Sequence, residues 1–183
     1  MDARVPQWLA FLKSTQPKRV GHCQNVAELS ARLAEKLHLN VQDAYVTGLL
    51  HDCAKGLPMA HQETLMQQWA DIDVTDFPKL WHAPAGAVYA RQHWDLPQPL
   101  LLGIARHAPA QPNMSLFEKV IYVADKIEPA RNYANVGRLR ALVWRDFEAG
   151  FLAVVADEAS ALLRHGHPLH PAMIQAWNQG VKE

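Results

Sequence analysis

The stretch Leu49-Leu50-His51-Asp52-Cys53-Ala54-Lys55-Gly56 ends an apolar run with two adjacent metal-ligand side chains, then a lysine and a glycine. Upstream, Ala44, Val46, Thr47, Leu49 and Leu50 occupy much of a helical circumference, which predicts a central helix, and Asn40 is placed to cap its start. Neighbouring helical residues point about 100° apart, so His51 and Asp52 reach one ion together only where the helix is ending. Gly56 is expected to supply that ending as a C-terminal cap. Alone, the doublet reads more readily as a surface pair beside a helix end. Its company gives it meaning.

Further candidate ligands recur at positions that each look helical: His22 in Arg19-Val20-Gly21-His22, His82 in Trp81-His82-Ala83-Pro84, His107 in Ile104-Ala105-Arg106-His107, and Asp125 in Val123-Ala124-Asp125-Lys126. Imidazole nitrogen and carboxylate oxygen suit Fe, Mn, Co, Ni or Zn, and a carboxylate can bridge two such ions. Six ligands exceed the four of a structural zinc site. Taken singly, His22 also reads as a core histidine and Asp125 as half of an arginine salt bridge.

The rest of the chain reads as helices. Pro6 to Leu12 forms a short amphipathic one, and Pro17 opens a longer one to about His38 whose apolar face is Val26, Leu29, Leu33 and Leu37. A Gln-rich helix runs from Pro58 to about Trp69, and Asp71, Asp73 and Asp76 form an acidic, solvated loop. Small residues from Ala83 to Ala90 allow close packing after His82. Pro97 and Pro99 start a helix that ends at His107, and Ser115 with Glu118 predicts a capping box before the helix of Asp125. One long helix is expected from Val143 to Gly166, with a last one from Pro171 through Trp177, both as scaffolding. His61 and His93 read as exposed, and His165, His167 and His170 as a solvated turn. With no β alternation, repeat or glycine-rich phosphate loop, the fold class is all-α, one helical domain over 1–183 with a metal-site core at about 17–133.

Lys plus Arg and Asp plus Glu balance at 18 each, which removes the global basic field that nucleic-acid or membrane-surface binding would use. Met1 to Pro6 lacks a signal-peptide pattern, and no apolar run approaches the roughly 20 residues of a spanning helix, so a cytoplasmic protein is expected. Cys23 and Cys53 are expected to be buried free thiols rather than zinc ligands or a disulfide.

The order His22, His51-Asp52, Asp125 resembles the HD-domain metal-dependent phosphohydrolases over most of the chain. The segment from Asn113 to Asp125, then Ile127-Glu128-Pro129, Arg131-Asn132-Tyr133, Val136 and Leu139-Arg140, is similar to the bacterial symmetrical dinucleoside tetraphosphatases, the YqeK-type branch. That resemblance implies an HD helical bundle, histidine ligands at His82 and His107, a di-iron centre, and hydrolysis of diadenosine tetraphosphate to two ADP. The chain departs from the family at Ala83, where a glycine is usual, at Ala108-Pro109-Ala110, in place of a Thr-Thr-Gly-like segment, and at Ala134-Asn135, in place of Pro-Gly.

Carried onto this chain, the family's ligand roles put His22, His51, Asp52 and Asp125 on one ion, and His82, His107 and a bridging Asp52 on a second. The ions are two divalent or mixed-valence transition metals, iron first. Cations for the polyphosphate are expected from Arg19, one helical turn before His22, from Lys55, three residues after Asp52, and from Arg131, with Lys126 the weaker choice. Asp52, Lys55 and Arg131 carry the catalytic expectation. Two rivals stand beside this reading: an HD phosphohydrolase of another nucleotide or a cyclic dinucleotide, and a non-catalytic sensor of metal and nucleotide. The implied partner is a nucleotide, with neither nucleic acid nor membrane, and a homodimer is compatible with it.

Overall fold

Two helices in antiparallel contact set the frame: α2, Val20–Lys36, and α3, Val41–Leu50. In the computed structural model, which describes residues 2–182, α2 ends as His38 enters the left-handed region at φ 57°. The Leu39 N–H then returns to the Ala34 carbonyl at 2.9 Å. Asn40 starts α3, its side chain accepting from the Asp43 N–H at 3.0 Å. The antiparallel turn brings the first turn of α2 beside the end of α3. Gly48 makes the approach close, since a Cβ there would stand 2.8 Å from Ser30 Oγ and 2.9 Å from Ala27 Cα.

Around this pair the described residues form eight further α-helices: α1 Val5–Thr15, α4 Met59–Met66, α5 His82–Trp94, α6 Gln98–Ala105, α7 Leu116–Ile127, α8 Val136–Arg145, α9 Phe147–Arg164 and α10 Pro171–Gly180. Short 3-10 turns lie at Pro17–Arg19 and Pro78–Leu80, and no strand occurs among the described residues. The fold is all-α, as expected. Helix α7 packs on α2, α3 and α6, and α6 packs on α3 and α5. Its start is the expected capping box: Ser115 Oγ accepts from the Glu118 N–H, and Glu118 Oε2 from the Ser115 N–H, each at 3.3 Å.

The apolar core has two parts. One joins α1, α3, α5 and α6 through residues such as Trp8, Leu49, Leu50 and Ile104, all at 0% exposure, and the other joins α2, α7, α8 and α9 through Leu33, Ile121, Leu139 and Phe151. Cys23 and Cys53 are free and buried, the latter with its thiol against the Gly86 carbonyl. Burial pushes the Cys23 thiol up to about 12, so it stays protonated. No described helix is long and apolar enough to cross a membrane.

Several sequence expectations are corrected. The span expected as one helix from Val143 to Gly166 is broken at Asp146, which takes an extended conformation and caps α9 by accepting from the Ala149 N–H at 3.1 Å. The apolar spacing continues across this break, which is why the sequence pattern predicts one helix there. The Gln-rich helix stops at Met66, and Trp69 packs into the core from the turn beyond. Gly56 is not a left-handed cap, Gly166 being the one positive-φ glycine among the described residues. Position 56 instead excludes a side chain because a Cβ would meet the Thr15 carbonyl oxygen at 2.6 Å. His170 is not solvated: it is buried, accepts from the Ala172 N–H at 3.1 Å to cap α10, and donates to the Asp73 carbonyl at 2.8 Å.

Candidate metal centre

The six candidate ligands sit at helix ends that converge on one interior point. His22 lies in the first turn of α2, His51 and Asp52 in the turn after α3, His82 opens α5, His107 follows α6, and Asp125 lies in the last turn of α7. The carboxylate of Asp52, 2% exposed, stands between two sets of imidazoles. Its Oδ2 is 3.5 Å from His51 Nε2 and 3.9 Å from His22 Nε2, and its Oδ1 is 3.4 Å from His82 Nε2 and 3.5 Å from His107 Nε2. Asp125 Oδ1 closes the first set, 3.1 Å from His22 Nε2 and 3.7 Å from His51 Nε2. Ligand atoms of His22, His51 and Asp125 lie within 4.8 Å of one another, as do those of His51, Asp52 and His107. His51 thus belongs to both groups.

The rings are held from behind. His51 Nδ1 donates to the Gly48 carbonyl and His107 Nδ1 to the Ile104 carbonyl, each at 2.7 Å. His22 Nδ1 faces Glu128 Oε1 at 3.2 Å, and Glu128 is fixed by Asn25 Nδ2 at 2.9 Å and the Ala130 N–H at 2.6 Å. With Nδ1 carrying the proton, each Nε2 presents its lone pair inward, the arrangement in which second-shell acceptors orient metal-binding histidines. Glu128 and Asn25 were missed as functional residues by sequence reasoning. The signal available was the spacing of His22 and Asn25, one turn apart on α2. Glu128→Gln is expected to weaken metal retention by about 10- to 100-fold, read by titration with a competing chelator.

The donor set fits a cation. His22 Nε2 and His51 Nε2 stand 3.2 Å apart, and with both Nδ1 protons directed outward their facing lone pairs repel unless positive charge lies between them; His82 Nε2 and His107 Nε2 are also 3.2 Å apart. Burial holds His82 well below, and His107 below, the ordinary imidazole value, which favours the neutral ligand form. Burial alone would raise Asp52 and Asp125. The neighbouring imidazoles for Asp52, and Lys126 with His22 and His51 for Asp125, outweigh it and keep both carboxyls well below their usual range.

The sequence signature of the HD domain matches residues 19–130, a span that holds all six candidate ligands. The chain belongs to the HD-domain family. Among curated relatives it is 30% identical over 168 residues to the symmetrical bis(5'-nucleosyl)-tetraphosphatase of Halalkalibacterium halodurans, covering 90% of each chain. It is 29% identical to the protein of the same name in Bacillus subtilis, covering 86% of each. Among solved structures, an HD superfamily hydrolase of Clostridium acetobutylicum described as involved in NAD metabolism superposes with a TM-score of 0.89 at 27% identity, over 97% of this chain and 96% of that one. Family and His/Asp cluster together mark a divalent-metal site.

In this HD-domain protein the centre opens into a cleft of about 600 Å³ lined by Arg19, Lys55, Lys126 and Arg131, the four cations expected from sequence. Arg19 is ion-paired with Asp52 Oδ2. Lys55 Nζ stands 3.0 Å from His82 Nε2 and 4.0 Å from Asp52 Oδ1. Arg131 is the arginine partner foreseen for Asp125, with Nη2 at 2.8 Å from Oδ1, and it joins the ligand cluster rather than replacing it. Lys126 is the most constrained of the four, with Nζ at 2.7 Å from Asp125 Oδ2 and 3.7 Å from Glu158 Oε1. The opposite wall is α9, read from sequence as scaffolding only, which brings Asp157, Glu158 and Arg164 to the cleft. Ala108, Ala134 and Asn135 also line it, so two of the three departures noted from sequence lie on the cleft wall, whereas Ala83 is buried.

Proposed function

We propose that this chain hydrolyses dinucleoside tetraphosphates at a two-metal centre, cleaving diadenosine tetraphosphate symmetrically to two ADP. The observation that carries the reading is the split carboxylate of Asp52, whose two oxygens face separate imidazole pairs. His22, His51, Asp52 and Asp125 would hold one ion, and Asp52, His82 and His107 the other. Iron is the proposed metal, in keeping with a mixed nitrogen and carboxylate set without thiolate. Bound there, transition-metal ions supply Lewis acidity and activation of water at neutral pH. The relatives named as symmetrical tetraphosphatases support the substrate class. The reduced, buried thiols fit a cytoplasmic setting.

The chain's own residues then bind and align the polyphosphate. Arg19, Lys55 and Arg131 lie along the cleft beside the ligands and neutralise phosphate oxygens, the guanidinium groups through paired N–H donors and Lys55 as a mobile point charge. Lys55 is held below the usual lysine value by burial, with Asp52 opposing and Arg19 adding to the shift. Lys126, fixed between Asp125 and Glu158, contributes charge from the cleft wall. The position of these cations relative to Asp52 sets which phosphorus is attacked. The P–O bond between the second and third phosphates breaks, and the solvent oxygen stays on one of the two ADP products.

Metal-loaded protein given diadenosine tetraphosphate in labelled water is expected to release ADP as the sole early nucleotide product, with one solvent oxygen per cleavage. Equal amounts of AMP and ATP would refute the register. One observation favours a second reading: with Ala108 and Ala134-Asn135 on the cleft wall, another nucleotide, including a cyclic dinucleotide, would be the substrate. Faster turnover of such a compound than of diadenosine tetraphosphate would establish it, and tight binding without turnover of any nucleotide would establish a sensor.

A further inference from the structure

Beside the charged cleft lies a smaller pocket of about 280 Å³ whose walls are mainly apolar: Phe77, Leu80, Pro109, Leu162, Pro168 and Met173. It is continuous with the cleft, because Lys79, Leu80, Glu158 and Leu162 line both. The continuity also runs along the backbone from the metal centre. His107 is a candidate ligand, Ala108 faces the cleft, and Pro109 faces the pocket. A polyphosphate held at Asp52 therefore has, at the edge of its own binding site, an apolar recess under half the size of the cleft. That is room for a flat ring system rather than for a second charged group.

We propose that this pocket takes one nucleobase of the substrate and holds it by packing and shape. The proposal rests on the nucleotide reading above. The polar groups at its wall are largely committed elsewhere. His170 uses one ring nitrogen on the Asp73 carbonyl and the other on the Ala172 N–H, and its ring packs edge-on against Phe77 with centroids 4.6 Å apart. Glu158 Oε2 accepts from the Tyr122 hydroxyl, and Lys79 Nζ stands 3.5 Å from His167 Nε2. Stacking and apolar contact with few free hydrogen-bonding groups accept any purine face. Adenine and guanine substrates should accordingly differ in kcat/KM by less than about tenfold, since an apolar site rejects an isostere weakly.

The test uses metal-loaded full-length protein photolabelled with 8-azido-ADP, followed by peptide mapping. Adducts protected by unlabelled ADP are expected at Phe77, Pro78 or Pro109 or within residues 167–173, positions that line the pocket and not the cleft. Adducts confined to the cleft, at Lys79 or Leu80 or within residues 133–135 or 162–165, or none protected by ADP, would overturn the assignment. A second measurement compares ADP with inorganic pyrophosphate by calorimetry in Phe77→Asn and Pro168→Asn, partly exposed and exposed positions that line the pocket and not the cleft. Each variant should weaken ADP by roughly tenfold and leave pyrophosphate unchanged. Unaltered ADP affinity in both variants, or equal loss of both ligands, would contradict the pocket. Neither measurement needs turnover: labelling in the pocket together with AMP and ATP as products would refute symmetrical cleavage and leave the base site standing.

Discussion

Asp52→Ala is expected to lower kcat/KM by at least about a thousandfold, roughly 4 kcal/mol of transition-state stabilisation, and to deplete bound metal at the same time. The size follows from geometry. Oδ2 and Oδ1 of this one side chain face two different imidazole pairs, at 3.5 and 3.9 Å on one side and 3.4 and 3.5 Å on the other. Its removal takes a ligand from both proposed ions and leaves four inward-facing Nε2 atoms without the anion between them. Arg19 loses its carboxylate partner as well. Asp52→Asn keeps the shape but replaces one anionic oxygen by an amide nitrogen, so it should retain part of the metal and little of the activity. Elemental analysis beside steady-state kinetics reads both. Full metal content with wild-type turnover in Asp52→Ala would remove the residue from the centre.

Arg131→Ala is expected to cost about 10- to 150-fold in kcat/KM, the range for a lost charge-assisted hydrogen bond made in the transition state, with metal content unchanged. Arg131 reaches back from the turn after α7, its Nε donating to the Asp125 carbonyl at 2.9 Å and its Nη2 to Oδ1 at 2.8 Å. The side chain is still 38% exposed toward the cleft, so donors remain for phosphate. Arg131→Lys should recover only part of the loss, because an ammonium cannot repeat the planar fork. A large fall in metal content with normal turnover per bound metal would make Arg131 a clamp on Asp125 and no more.

Much of the fold was legible because ligands, caps and apolar faces coincide in this sequence. The capping box at Ser115 and Glu118 and the cap at Asn40 fixed two helix starts from local chemistry alone, and both place ligand-bearing helices, α7 and α3. The convergence of His22, His51, Asp52, His82, His107 and Asp125 was legible as a pattern, since each lies near an expected helix end. What escaped was whatever depends on tertiary approach. Glu128 became an orienting residue only when α7 packed on α2 and brought its carboxylate to His22, 106 positions away. Asp146 was hidden because the apolar periodicities of α8 and α9 run on through it. Helix α9 showed an apolar face suited to scaffolding, and its polar face gave no sign that Asp157 and Glu158 would border the cleft. Gly56 shows the same limit at one residue: a helix cap was expected there from its type, and what requires glycine is the Thr15 carbonyl, a neighbour that sequence distance conceals.

The most direct test of the central claim is anomalous diffraction from crystals of the metal-loaded protein, with data on both sides of the metal's absorption edge. Two peaks are predicted, one among His22, His51 and Asp125 and one between His82 and His107, with Asp52 contributing Oδ2 to the first and Oδ1 to the second. A single peak, or two peaks with both Asp52 oxygens on the same ion, would contradict the bridging role on which the account rests.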